Sequence, residues 1–550
     1  QTTTGKENVA ASAAGRGVEC DQFGPVAAAI PYNHVAKRIM ADAAAVGAKG
    51  PQTLTIDSYE AGMQNWTANF PAEFRRRTGY ELLNYIPALL GRVVGDAARS
   101  ERFLYDFRRV EADLMAENYY GKMETLAHAN GMKFYVEGYG PGNFDELRVS
   151  GLPDVPMTEF WTRTPWTPNR TVKMVSSAAH VYGKPIVAAE SFTGWSETSR
   201  WLDYPYALKS LGDDMFSQGM NQMIFHRYAH QPHPGAVPGM AMGPYGFNFE
   251  RTNTWFADCG AWIDYLSRTQ FMLQQGTCVA DVLYFTGERA PDPSQMAIPV
   301  LPVGYTYDLV NADVLLHRVT VRDGDLVLPE GGRYRLLVLP DNLRAMSPRL
   351  AKRLGELVAA GATLMGPQPV FSPTLEDFPA SENEMKRTVA ALWNPVRKGP
   401  GRVLNPTSIG TALTELGVQP DFTFRGNRPD ASLSWQHRKL ADGDLFFVAN
   451  RQRRVEEITA SFRDMAGRQP EIWRTVKPEK ELAAVFSTDG NRAVVPLRLE
   501  PAESVFVLFR HPAIGAHAAS LTKDGRPLIT TSAPVAEIGQ PADDAQNFTM

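Results

Sequence analysis

The chain has few cysteines, no long apolar run and no marked excess of either charge, and each shortage removes a class of protein. Cys20, Cys259 and Cys278 are the only thiols in 550 residues. They form an odd, scattered set with neither a disulfide framework nor a zinc-ligand spacing, so free thiols are expected. No apolar stretch approaches the roughly 20 residues that span a bilayer, so no membrane span is expected. Lys and Arg total 56 against 60 Asp and Glu, a formal net charge of −4. With no basic run in that balance, nucleic acid is not an expected partner. Motifs of other chemistries are missing too. There is no G-x-S-x-G elbow and no Walker A sequence, and the G-Y-G-P-G at 138–142 has the wrong place and spacing for a dinucleotide turn. The chain opens on Gln1 without a signal-like leader. Its Q-T-T-T-G-K-E-N start reads as the tail of a strand already under way, and hence as a fragment.

What is present is a recurrent pattern. Four short apolar runs each end on a glutamate: T-L-T-I-D-S-Y-E (Glu60), F-Y-V-E (Glu137), M-T-E-F-W (Glu159) and I-V-A-A-E-S-F (Glu190). An apolar run of that length reads as a buried strand, and a carboxylate at its C-terminal end faces whatever binds there. Four in succession suggest a parallel barrel with an acidic mouth, the arrangement of a glycosidase.

The strand candidates are Val18–Cys20, Leu54–Ile56, Leu82–Ile86, Lys133–Val136, Met157–Phe160, Ile186–Ala189, Gln222–Phe225 and Val279–Phe285. Helical patterns such as Glu101–Ala129 and Arg170–Tyr182 lie between most of them. The alternation predicts an α/β architecture led by a (β/α)8 TIM-like barrel over residues 1–290. A doubly wound open sheet is the alternative. Residues 291–425 read as a small α/β unit of the layered, flavodoxin-like kind, with the apolar strand Y-R-L-L-V-L-P, a helix over 349–360 and a second strand in G-A-T-L-M-G-P. Residues 426–512 alternate short strands with turn residues, as in a β-sandwich. The Ala-, Pro-, Gly- and Asp-rich tail, 513–550, reads as linker or disorder.

Glycoside hydrolysis needs one carboxyl to protonate the leaving oxygen and a second to activate water or attack the sugar. Glu60 and Glu190 are the candidates for this pair, with Asp57 close enough to Glu60 in D-S-Y-E to perturb it. The plainer readings are that Asp57 caps a helix and Glu60 is surface, that Glu190 pairs with an arginine, and that Glu159 pairs with Arg163. Glu137 could orient its neighbours or meet sugar hydroxyls. Carboxylates beyond the pair suit a calcium ion, which takes six to eight oxygen ligands. H-R-Y-A-H-Q-P-H (226–233) puts three histidines in eight residues, but without H-E-x-x-H a sugar-binding loop is the better reading than zinc. Trp66, Trp161, Trp195 and Trp255 could stack on sugar rings or simply pack.

Taken in order, T-T-T-G-K-E-N, G-V-E-C-D, D-S-Y-E-A-G-M-Q-N-W-T, F-L-Y-D-F-R-R, Y-V-E-G-Y-G, P-M-T-E-F-W, A-A-E-S-F-T-G and H-R-Y-A-H-Q-P-H resemble the family 106 glycoside hydrolases, the α-L-rhamnosidases. The likeness continues through L-L-V-L-P and P-A-E-S-V-F-V-L-F-R. It implies an inverting, calcium-assisted enzyme that removes terminal α-L-rhamnose from glycans or plant glycosides, in a periplasmic or secreted setting. Carried over, Glu60 matches the general acid, Glu190 the general base and Glu159 a carboxylate near the calcium ion. Asp57, Glu137, Trp161, Trp195, His226, Tyr228 and His230 would line the sugar subsite. Competing readings are a retaining, β-galactosidase-like barrel enzyme and a truncated, non-catalytic carbohydrate-binding barrel.

Overall fold

The structure is a computed structural model that describes residue 7 and residues 12–163, 169–237, 239–240, 245–396, 398–405 and 407–531. Its first layer is a parallel sheet of five strands in simple sequence order: β1 (Thr53–Ile56), β2 (Lys133–Glu137), β3 (Val155–Trp161), β4 (Ala188–Thr193) and β5 (Gln222–Phe225). Right-handed crossovers between successive parallel neighbours put every connecting helix on the same face, so the sheet curls as a barrel does. The helices are built for that role. Helix Ala97–Leu114 is capped by the Asp96 side chain, which accepts from the Arg99 backbone N–H at 2.7 Å, and it runs on through a wide turn at 115–120 into Gly121–Ala129. Helix Arg170–Tyr182 stops at Gly183, whose φ of 77° suits a residue without a Cβ.

Five strands rather than eight form this sheet among the described residues, and three strand candidates account for the difference. Leu82–Tyr85 is a 3₁₀ turn followed by a helix with Pro87 in its first turn, and Tyr85 stacks on Phe103 at 5.1 Å. A short apolar run has no period of its own, and here it serves as a plug under the helices. Val18 makes only a single antiparallel bridge to Glu7. Val282–Phe285 is a strand, but it pairs with Leu336–Val338 and Tyr307–Val310 in a second sheet.

That second sheet is parallel, in the order 402–404, 363–365, 336–338, 282–285, 307–310. Numbered along the chain and read from the 307–310 edge this is 2-1-3-4-5, the doubly wound order of flavodoxin-like units. Helix Pro348–Ala359, capped by Ser347, packs its Leu350, Leu354 and Leu357 into the layer beneath. The third layer is a sandwich of a four-stranded and a six-stranded antiparallel sheet. Strand Asp444–Asn450 is buried along its whole length because it is covered on both sides. Phe446 and Val448 face the opposing sheet, whereas Leu445, Phe447 and Ala449 join the core of the first layer, the period-two division a pleated strand imposes. In the tail, Ser520–Lys523 and Arg526–Thr530 pair as a hairpin where composition predicted linker; residues 532–550 lie outside the described set, as does the whole T-T-T-G-K-E-N run except Glu7. No helix among the described residues is long and apolar enough to cross a membrane.

Candidate active site

Each strand of the first sheet delivers one polar residue to its C-terminal end. β1 leads into Asp57, β2 ends on Glu137, β3 and β4 carry Glu159 and Glu190 as direct register partners, and β5 is followed by His226. Parallel strands in register place these positions side by side, so residues up to 169 positions apart along the chain share one rim. Oxygens of Asp57, Glu137 and Glu190 all lie within 4.8 Å of one another.

The loops are pinned by close backbone packing. The Tyr59 N–H donates to the Tyr139 carbonyl at 2.8 Å, and the Tyr59 hydroxyl lies 2.7 Å from both Gln22 Oε1 and the Gly62 carbonyl oxygen, sharing its one proton between them. Gly140 lies against the same backbone at φ 129°, and an added Cβ there would overlap the Tyr59 carbonyl oxygen. The Asp57–Glu60 loop is therefore held to the β2 loop by a contact that only glycine permits.

Individual environments differ. Glu137 is 2% exposed and accepts the Tyr139 hydroxyl at 2.7 Å. Burial, followed by the charges of Asp57 and Glu190, pushes its carboxyl well above the usual carboxylate range. Glu159 accepts the Trp161 indole N–H at 2.7 Å. Its pKa is raised to about 7, by burial first, with Glu190, Asp57 and Glu60 adding repulsion against the lowering effect of that indole. Glu159 does not pair with Arg163, which is bound to Asp203 at 2.8 Å. Glu190 accepts the Thr193 hydroxyl and stands 3.4 Å from His226 Nδ1. Glu60 is exposed on the rim, near enough to add to the repulsion on Glu159.

Of the aromatic candidates, Trp161 and Trp195 meet at a ring separation of 5.6 Å and form a wall with Tyr245, whose ring is 4.8 Å from Trp195. Trp66 instead stacks on Phe70 at 5.5 Å, and Trp255 packs among Phe249 and Trp262, so these two belong to the core. Tyr228 and His230 are exposed in the loop after β5, and Tyr228 borders Phe249 and Phe256 rather than the carboxylates. Sequence reasoning missed Tyr139, Thr193 and Tyr245. The first two had a signal, since each follows a strand-end glutamate by two or three residues; Tyr245 had none, because its contact with Trp195 depends on the path of a long loop.

A sequence model of the glycoside hydrolase 106 family, described as alpha-L-rhamnosidase, matches residues 1–485. The chain belongs to this family. A rhamnosidase from Novosphingobium sp. PP1Y matches with a TM-score of 0.87 at 33% identity, over 95% of this chain and 50% of that one. A putative beta-glucuronidase of Formosa agariphila is 39% identical over 513 residues, covering 93% of this chain and 43% of that protein. The chain thus spans about half the length of these relatives, or less. A beta-galactosidase from Bacillus circulans sp. alkalophilus, 11% identical, matches with a TM-score of 0.55 over 90% of this chain and 84% of that one, a likeness of fold alone.

Proposed function

We propose that this family 106 domain removes terminal α-L-rhamnose by an inverting, two-carboxylate reaction. The observation that carries the reading is the convergence of Asp57, Glu137 and Glu190 at the ends of adjacent strands, in a chain of this family. Glu60, on the open side of the rim, protonates the departing glycosidic oxygen. Glu190 takes the proton of the water that attacks the anomeric carbon from the opposite face. The Thr193 hydroxyl holds Glu190 in place, with the His226 ring beside it, and the Trp161–Trp195–Tyr245 wall offers an apolar face to the sugar.

Calcium fits this donor set. Carboxylate oxygens are hard ligands, and three acids within 4.8 Å repel one another unless protonated or shared by a cation. Asp57 and Glu137, with Glu159 beside them, would hold the ion, and Glu190 keeps a free oxygen for the attacking water. When bound, it neutralises the surplus charge and offers coordination positions to sugar hydroxyls.

The relative named as a beta-glucuronidase raises a second reading. A glucuronide brings its own carboxylate into a rim that already holds Asp57, Glu60, Glu137, Glu159 and Glu190, and like charges oppose it. A neutral deoxy sugar meets no such repulsion, which favours rhamnose. The test is release of free rhamnose from an aryl α-L-rhamnoside, with proton NMR of the first product. The β-anomer is expected, Glu60→Gln and Glu190→Gln abolish release, and EDTA suppresses it until calcium is restored. Turnover of an aryl β-glucuronide without turnover of the rhamnoside would overturn the substrate assignment, and an α-anomer would overturn inversion.

A further inference from the structure

The second sheet has a crevice of its own. The strand that follows Val282–Phe285 lies on one flank of the sheet, and the strand that follows Leu336–Val338 lies on the other. Between these two neighbours the strand order reverses, and in open parallel sheets ligands bind beyond the strand ends at such a reversal. Here a cavity of about 1010 Å³ opens at that point. Residues 287–290, after the first of the two strands, and 347–349, after the second, line it together with Tyr105 and Arg109 of the first-layer helix Ala97–Leu114. None of the rim carboxylates does. Its volume is at the upper end of the roughly 300–1,000 Å³ of small-molecule sites. A smaller hollow of about 460 Å³ adjoins it and shares Tyr105, Arg289 and Ala290.

The walls are fixed in place. Glu288 accepts the Ser347 backbone N–H at 2.7 Å and its hydroxyl at 2.5 Å, which joins the two strand-end loops. Asp106 accepts the Thr374 hydroxyl at 2.6 Å and the Leu375 N–H at 2.9 Å, which ties the loop before helix Ala380–Leu392 to the first layer. Yet three buried donors on these walls have no hydrogen-bond partner among the described residues. They are Arg109 Nε and Ser381 Oγ in the larger cavity and Arg102 Nε in the smaller. Ser381 is only 9% exposed, and its helix starts without a side-chain cap. Native proteins leave few buried polar groups unmet. Three on adjoining walls call for a ligand that brings acceptors.

We propose that this crevice is a second carbohydrate site, which binds a neutral oligosaccharide of two or three sugar units without cleaving it. Charge argues against a simple ion. Arg349 and Lys352 are exposed at the cavity, and so are Asp377 and Glu384, so neither sign has a field to itself. Among the described residues, the acids close enough to share a metal ion are those of the rim. A neutral polyol suits both halves of this lining. Its hydroxyl oxygens accept from the arginines and the serine, and its hydroxyl protons go to the carboxylates. The half-buried rings of Tyr105 and Phe378 give apolar surface for the C–H faces of a sugar. The acids deeper in the lining are engaged, Glu288 by Ser347 and Glu376 by Arg109 at 3.4 Å, which fits binding rather than hydrolysis. A glycan held here stays close to the rim of the same molecule, which raises its effective concentration there.

The experiment is saturation-transfer NMR on the full chain with cellotriose, xylotriose and galactotriose as neutral probes and trigalacturonic acid as the acidic one. Excess free rhamnose is added to occupy the rim. At least one neutral trisaccharide is expected to bind, with or without rhamnose. Ala380 is exposed at the cavity, and Ala380→Trp fills it with an indole. That variant is expected to weaken binding at least tenfold and to leave Tm and any rhamnoside turnover as in the wild type. Ser381→Ala removes an unpartnered hydroxyl and is expected to weaken binding severalfold without loss of stability. Binding of none of the three neutral probes, preference for trigalacturonic acid, displacement by rhamnose, or wild-type affinity in folded Ala380→Trp would each overturn the proposal. Should that variant fail to fold, Ser381→Ala decides. None of these readings depends on turnover, so a chain inactive on rhamnosides refutes the proposed reaction and leaves this test intact.

Discussion

Glu111 gives the sharpest quantitative prediction, because its effect on stability has a calculable sign. It lies on helix Ala97–Leu114, is 2% exposed, and accepts the Asn143 amide at 3.0 Å through Oε2. Its Oε1 is buried without a hydrogen-bond partner among the described residues. Burial raises its pKa from 4.5 to about 8, with Arg108 the opposing influence. The folded protein therefore keeps the proton while the unfolded chain loses it. A folded pKa above the unfolded value contributes stability that is complete below pH 4.5 and is lost as pH rises toward 8. Between pH 5 and pH 7 the linkage amounts to about 2–3 kcal/mol. Glu111→Gln keeps the shape and an acceptor for Asn143 but cannot ionise, so it should remove that pH-dependent loss. The variant is expected to be near wild type in stability at pH 5 and to gain about 2 °C in Tm at pH 7, at roughly 1 °C per kcal/mol for a chain of this length. Thermal unfolding of both proteins at the two pH values measures the difference. Parallel pH dependences for wild type and variant would refute the claim that this carboxyl is buried as the neutral acid.

Other outcomes follow from single contacts. Gly140→Ala puts a Cβ over the Tyr59 carbonyl oxygen and 2.9 Å from its carbon. Restoring about 3.5 Å displaces the Asp57–Glu60 loop by at least roughly 0.6 Å, and turnover of an aryl rhamnoside should fall about 100-fold, as small misplacements of catalytic groups do; wild-type turnover would show that the loop position is immaterial. His437 lies between Asp421 at 2.9 Å and Asp444 at 3.2 Å. Burial alone would lower its pKa, but the two carboxylates raise it to about 9. Its stabilisation is complete below about 6.5 and lost as pH rises through 9, so His437→Gln should flatten the fall in Tm between pH 7 and pH 10. Phe447→Ala, which opens the boundary between sandwich and first-layer helices, should cost about 3–5 kcal/mol in chemical denaturation.

The features that depend on local pattern were legible from the residues alone. Apolar runs of four to seven residues gave the parallel strands, because a strand buried on both faces has few polar positions, and their terminal glutamates marked the rim. Helix Arg170–Tyr182 was legible end to end because Gly183 stops it. Glu137, Glu159 and Glu190 could be read from one residue per strand end, whereas in the first run the residue at the strand end is Asp57 rather than the Glu60 that the pattern picks out. Partnership was decided only in three dimensions. Val282–Phe285 looks like any barrel strand, and only its neighbours assign it to the second sheet. Leu82–Tyr85 has strand composition but lies under Phe103 as a turn, since short runs carry no period. Arg163 chose Asp203 over nearby Glu159, and His180 and Lys173 of the first layer met Asp308 of the second sheet. Strand formation is a matter of local composition, whereas pairing, charge neutralisation and pKa depend on which distant surfaces the packed core brings together.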